Sequence, residues 1–210
     1  MSSSFQTIAA TLLRAGAVLL RPDEPFTFAS GLRSPVYCDN RLLLGDVAAR
    51  RAVTVAFAAR CGGADVIAGP ATGGIPWAAW AAEQLSLPMA YVRGAAKGHG
   101  RGRQIEGAAV SGRQVVLLED TISTGESALN AAAALREAGA ELLRCVCIFT
   151  WGWDATARAF AEAGLPLEAL ATLPALLEAA AASGALPSTQ RAIIEEWVVD
   201  PQGWSEQRQA

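Results

Sequence analysis

Between residues 65 and 150, short apolar runs alternate with helical patterns, and this alternation limits the possible folds more than any other feature of the chain. Residues 65–69, 89–93, 114–118 and 143–150 read as strands, and the run at 114–118 is continuous, as in strands buried on both faces. Residues 75–85 and 127–138 read as helices, the first tolerating Pro76 in its opening turn and the second closed by Gly139. Strands that alternate with helices call for a mostly parallel sheet flanked by helices. Ligands of such sheets gather at the carboxyl ends of the strands, and the unusual sequences of this chain fall there.

Ahead of the alternation, residues 5–15 and 45–60 have helical spacing, and residues 26–40 read as an irregular hairpin with a Ser30-Gly31 turn and Pro35. With 210 residues, 52% of them hydrophobic, the chain suits one α/β domain. Its expected parts are an N-terminal hood of helix and hairpin (1–44), a core (45–150) and a C-terminal completion (151–210). In the last part, helices at 174–182 and 189–198 are the only elements read, and no chemistry is found there. A formal net charge of -3 and the absence of a long Lys/Arg tract argue against general nucleic-acid binding. No basic segment followed by an apolar run opens the chain, and the Ala/Leu-rich stretch 165–186 is broken by Glu168, Pro174, Glu178 and Ser183. A soluble, cytoplasmic protein is therefore expected. Cys38, Cys61, Cys145 and Cys147 form no C-x-x-C pair and read as free thiols.

The stretch Val115-Val116-Leu117-Leu118-Glu119-Asp120-Thr121-Ile122-Ser123-Thr124-Gly125-Glu126-Ser127 carries the chemistry. A buried strand delivers two carboxylates, a hydroxyl-rich turn follows, and a helix begins. Backbone N–H groups at a helix start, with Thr and Ser hydroxyls, form a phosphate cradle. Two acids at its mouth repel phosphate unless they bind sugar hydroxyls or a hydrated divalent cation, so the combination points to a phosphorylated sugar. The pattern is not a Walker A loop. Residues 94–108 differ again: Gly94, Gly98, Gly100, Gly102 and Gly107 are interleaved with Lys97, His99, Arg101 and Arg103. A glycine-rich basic loop of this length inside a domain is usually a functional element. A lone histidine is more often structural, but the place of His99, two residues after Lys97, favours function; Arg101 and Arg103 read as solvating the loop. Trp77 and Trp80, three apart on a helix, read as core.

The strand and turn from Val115 to Ser127 resemble the ribose-phosphate motif of type I phosphoribosyltransferases. Phe26-Thr27-Phe28-Ala29-Ser30-Gly31-Leu32-Arg33-Ser34-Pro35-Val36-Tyr37-Cys38-Asp39 resembles the N-terminal signature of the orotate branch. Tyr91-Val92-Arg93, with Lys97-Gly98-His99-Gly100 and Gln104-Ile105-Glu106-Gly107, resembles the catalytic loop of that branch. The resemblance implies an enzyme of pyrimidine biosynthesis that transfers the ribose phosphate of phosphoribosyl pyrophosphate to orotate, giving orotidine 5'-monophosphate and pyrophosphate. It implies that Glu119 and Asp120 hold the ribose 2' and 3' hydroxyls. Thr121, Ile122, Ser123, Thr124, Gly125, Glu126 and Ser127 then wrap the 5'-phosphate, with Ser123 at the edge of the orotate. Arg93, Lys97 and His99 meet the pyrophosphate, the last two as catalytic residues on a loop (94–107) shared across a homodimer. Ala71, Thr72 and Gly73 face the leaving group, and Mg²⁺ is bound through substrate and water near the two acids.

The chain departs from some members of the family at Ala29, Gly73 and Gly94, where lysines are common, and at Trp151-Gly152-Trp153-Asp154, which lacks an arginine used near orotate. Arg33 is the candidate substitute for the orotate carboxylate. Two other readings compete: a phosphoribosyltransferase for uracil, adenine or xanthine, and a nucleic-acid-binding sensor of phosphoribosyl pyrophosphate on the same fold. The 26–39 stretch opposes the first; the acidic balance and the intact loop oppose the second.

Overall fold

The computed structural model describes residues 2–28, 31–94 and 104–208, with side chains from residue 8 onward. In chain order the first elements are α1 (Ser2–Arg14), β1 (Val18–Leu20), β2 (Phe26–Thr27), β3 (Arg33–Ser34), β4 (Val36–Cys38), a 3-10 turn at Asn40–Leu44, and α2 (Val47–Ala58). The alternating region supplies β5 (Val66–Pro70), α3 (Gly74–Leu85), β6 (Met89–Val92), β7 (Ile105–Gly107), β8 (Gln114–Ile122), α4 (Glu126–Glu137) and β9 (Glu141–Thr150). Then come α5 (Asp154–Glu162), β10 (Leu167–Thr172), α6 (Leu173–Ala182), α7 (Ser188–Val199) and α8 (Pro201–Gln207). The residues group into two compact units, Arg51–Leu170 and a second made of Met1–Arg50 with Ala171–Ala210.

The larger unit is built on a six-stranded sheet of order β10-β9-β8-β5-β6-β7. The pairs β5–β6, β5–β8 and β8–β9 are parallel, and β6–β7 is antiparallel. Side chains alternate between faces along each strand. Val66, Ala68, Val115, Leu117, Cys145 and Cys147 point to one face, where Ala128, Ala131, Ala132 and Leu135 of α4 and Phe160 of α5 cover them. The intervening Ile67, Val116, Leu118, Val146 and Ile148 are also fully buried, on the face against which α3 packs. Trp77 of α3 is buried with Phe57 at 6.1 Å and belongs to the core, whereas Trp80, edge-on to it at 5.4 Å, is only half-buried. Burying apolar area on both faces is the main driving force for this layering.

The expected fold class is the one observed, with additions. β7 lies in what the sequence presents as loop 94–108. Ile105 packs on the same core as Val92, and the Val92–Ile105 and Tyr91–Glu106 pairs extend the sheet, so three residues are strand where glycine and charge dominate the composition. β10 and α5 also lie outside the elements read from sequence, as do β1 and α8 in the other unit.

In the smaller unit, Phe26 and Thr27 pair with Ser34 and Arg33 as the expected hairpin, and β4 pairs with β1. The hairpin is tied to α8: the Arg33 backbone N–H donates to Ser205 Oγ at 2.9 Å, and its guanidinium donates to the Arg208 carbonyl. Arg208 in turn lies 4.0 Å over the Trp204 ring. One guanidinium nitrogen of Arg33, the candidate carboxylate partner, is thus engaged at the end of the C-terminal helix. Among the described residues, no helix is long and apolar enough to cross a membrane.

Candidate active site

Three strands of the larger unit, β5, β6 and β8, end side by side, and each delivers part of one site. β8 is longer than the sequence predicts. Its ladder with β9 continues through Glu119–Cys147, Thr121–Phe149 and Ile122–Thr150, so both acids and the first two residues of the expected turn are still strand. The Ile122 side chain is buried in the core, so only its backbone can face a phosphate. The turn itself is Ser123, Thr124 and Gly125, exposed at the two hydroxyl residues.

Gly125 has φ 85, a left-handed conformation that favours glycine, and a Cβ there would lie 2.5 Å from the Phe160 ring. As the N-cap of α4 it has no side chain to accept from the first-turn N–H groups, which suits an anion at that position. The turn is anchored from α5 by the Thr156 hydroxyl, which donates to the Ser123 carbonyl at 2.6 Å. Thr156 was not singled out in the sequence. A hydroxyl in a polar stretch gives no signal for a contact 33 residues away.

The loop after β5 is pressed onto these strand ends. The Ala71 N–H donates to the Val92 carbonyl at 2.7 Å. A Cβ on Gly74 would meet the Leu118 carbonyl, and one on Gly73 would meet the Asp120 carboxylate, each at 2.5 Å. Gly73 therefore stands where a side chain would displace Asp120, a physical reason for glycine there in place of a lysine. Thr72 is exposed beside it.

At the end of β6, Arg93 lines a cleft of about 260 Å³. Pro70, Ala71, Val92 and Gly94 line it from the β5 and β6 ends, and Glu126, Ser127, Asn130 and Ala131 from α4. The α4 residues occupy one helix face, one turn apart. Asn130 is a cleft residue missed in the sequence reading, although its spacing from Glu126 on the helix could have found it. The structure thus brings together Ala71, Gly73, Arg93, Glu119, Asp120, the turn and Ser127; Lys97 and His99 lie outside the described residues.

These features match known proteins. The phosphoribosyl transferase domain profile covers residues 51–162. The orotate phosphoribosyltransferase of Bacillus caldolyticus is 48% identical over 201 residues, spanning 94% of this chain and 97% of its own length. That of Lactiplantibacillus plantarum is 45% identical over 208 residues, 97% of this chain and 98% of its own. The crystal structure of orotate phosphoribosyltransferase from Aeropyrum pernix superposes with a TM-score of 0.71 at 36% identity, covering 81% of this chain and 96% of that one. The chain belongs to the orotate phosphoribosyltransferase family.

Within this orotate phosphoribosyltransferase site the two acids differ in environment. Glu119 is buried; one carboxylate oxygen accepts from the Asp120 N–H at 3.0 Å and the other from the Ser127 hydroxyl at 3.4 Å. Burial, and then the charge of Asp120, push Glu119 up to about 8, with the Asp120 N–H and the Ser127 hydroxyl opposing the shift. Asp120 is half-buried and accepts from the Thr121 N–H at 2.6 Å. The folded chain therefore holds the Glu119 proton to a higher pH than the unfolded chain, whose glutamates titrate near 4.5. Stability of the ligand-free protein falls as pH rises from that value through about 8. Glu119→Gln removes this contribution. Its melting temperature should match that of the parent near pH 5 and exceed it by a few degrees at pH 8.5, for roughly 1–3 kcal/mol. A constant difference across this range in thermal melts would exclude the effect.

Proposed function

We propose that the chain transfers the 5-phosphoribosyl group of phosphoribosyl pyrophosphate to a ring nitrogen of orotate, forming orotidine 5'-monophosphate and pyrophosphate in pyrimidine biosynthesis. The observation that carries this reading is the convergence of Glu119-Asp120, the Ser123–Gly125 turn and the Ala71–Gly73 loop at adjoining strand ends, in a chain of this family.

In this reading Asp120 and Glu119 hold the ribose hydroxyls, and residues Thr121 to Ser127 wrap the 5'-phosphate. Backbone N–H groups of Ala71, Thr72 and Gly73 face the pyrophosphate with Arg93. The base lies by Ser123. Positive charge builds on the ribose as the bond to pyrophosphate loosens, so the protein's work is to hold the reactants in line and neutralise the leaving group. Lys97 and His99 contact the pyrophosphate, and the 94–107 segment is shared with a partner subunit in a homodimer. Neither acid needs to act as a general base.

The donor set also fits Mg²⁺. Among the described residues, no three His, Cys, Asp or Glu side chains converge as a protein-made metal site. Arg93 is paired with the Glu106 carboxylate and lines the cleft with Glu126, so an anionic substrate is best accepted with a cation of its own. Mg²⁺ keeps several waters and takes substrate phosphate oxygens readily, and Glu119 and Asp120 can accept from its waters. Bound in that way, it would neutralise charge on the pyrophosphate. The charge balance and composition suit a cytoplasmic enzyme.

The test is pyrophosphate release from phosphoribosyl pyrophosphate with orotate and Mg²⁺, repeated without each component and with uracil, adenine or xanthine in place of orotate. Turnover should need all three components and be selective for orotate. Turnover with another base in preference would reject the orotate assignment. In the same assay Lys97→Ala should lower kcat by about tenfold or more while leaving orotate affinity nearly unchanged, as loss of a transition-state contact predicts. Near-normal turnover would reject the role of Lys97.

A further inference from the structure

Arg93 and Glu106 form an ion pair at the mouth of the cleft, Nη1 to Oε1 at 3.4 Å. Strand pairing accounts for the meeting. Glu106 stands directly opposite Tyr91 across the antiparallel β6–β7 pair, and Arg93 is two residues beyond Tyr91, so the two side chains share a face on neighbouring strands. The hairpin does not depend on this pair. The Arg93 N–H donates to the Gln104 carbonyl at 2.9 Å, the Gln104 side-chain amide donates back to the Arg93 carbonyl at 3.0 Å, and Ile105 packs into the core. Both charged groups keep substantial exposure, 29% and 42%, so their attraction is weak and exchangeable. A carboxylate beside the one described cleft-lining arginine is unfavourable to a diphosphate placed against that arginine, unless its presence serves the reaction.

We propose that Glu106 is a positioning residue that competes with diphosphate for the Arg93 guanidinium. It holds Arg93 at the cleft mouth before substrate binds, and takes it back as the product diphosphate leaves. The proposal rests on the reading that Arg93 meets the pyrophosphate. Glu106 touches no reacting atom in it, and acts through Arg93. Its effect falls on diphosphate-bearing ligands and not on the base: the enzyme accepts weaker binding of phosphoribosyl pyrophosphate in exchange for easier release of pyrophosphate.

The experiment is steady-state kinetics with added inorganic pyrophosphate on the full chain and on Glu106→Gln, Glu106→Asp, Arg93→Ala and the Arg93→Ala/Glu106→Gln double variant. Glu106→Gln should lower the inhibition constant for pyrophosphate and the KM for phosphoribosyl pyrophosphate by about two- to fivefold, with the KM for orotate unchanged. Glu106→Asp should restore values toward the parent. Arg93→Ala should raise the pyrophosphate constant, and Glu106→Gln should add nothing in that background. Unchanged or weaker pyrophosphate binding in Glu106→Gln, beside a clear loss in Arg93→Ala, would overturn the competition and leave the role of Arg93 intact. Tightening that persists in the double variant would overturn action through Arg93. An Arg93→Ala variant that binds pyrophosphate normally would reject the underlying reading of Arg93 itself.

Discussion

Asp120→Ala is expected to weaken phosphoribosyl pyrophosphate binding by about 10²- to 10³-fold, with little change in the KM for orotate. The carboxylate is held from two sides. One oxygen accepts from the Thr121 N–H at 2.6 Å, and the group packs on the Cα of Gly73, where a Cβ would lie 2.5 Å from it. A side chain fixed in this way gives little rotational freedom up on binding, so the proposed bonds to ribose hydroxyls should go into affinity. Bonds to a charged group are each worth about 1.5–3 kcal/mol, which sets the size of the effect. Asp120→Asn keeps the shape and the acceptor for Thr121 but loses the charge, and should fall between alanine and the parent. Calorimetric titration with phosphoribosyl pyrophosphate and Mg²⁺ measures this directly. Unchanged affinity in the alanine variant would remove the ribose contact from the mechanism.

A larger combined effect is expected at Gly125. Gly125→Val places a β-branched residue at φ 85 and drives its Cβ to 2.5 Å from the buried Phe160 ring. Strain in the left-handed region costs about 1–3 kcal/mol, and overpacking a filled core about 1–3 kcal/mol more. Together these take a large share of a typical folding free energy. In the proposed reading the displaced turn also carries the N–H groups that face the 5'-phosphate, so substrate binding should be lost even where the variant remains folded. Denaturant unfolding gives the stability loss, and calorimetry on the folded fraction gives the binding loss. Phe160→Leu combined with Gly125→Ala separates the two terms, because it relieves the clash and leaves the backbone strain. A Gly125→Val variant as stable as the parent, with intact substrate affinity, would show that neither term operates.

Much of this site was readable from residue order alone, for reasons specific to each piece. The run Val115–Leu118 followed by Glu119-Asp120 and a hydroxyl-rich turn announced a strand that carries acids to its end, because the apolar run and the polar break are both local signals. Its true length was not local. Glu119, Asp120 and Thr121 are strand because β9 supplies partners as far as Thr150, and a polar strand end lacks the apolar pattern that marks its beginning. β7 was hidden for the same reason in sharper form: Ile105 is one apolar residue in a glycine-rich basic stretch, and only pairing with β6 makes it strand.

By itself, the sequence determined the alternating α/β architecture, the residue types of the hydroxyl-rich turn and the branch of the family, since periodicity, turn chemistry and motif order are properties of neighbours along the chain. Only the tertiary structure decided that Gly73 lies against Asp120, that Thr156 anchors the Ser123 carbonyl, that burial pushes Glu119 above the usual carboxylate range, and that Arg93 is paired with Glu106. Each of these depends on how closely two segments pack and how much water they exclude. Distance and dielectric are set by the whole fold, and a linear pattern does not contain them.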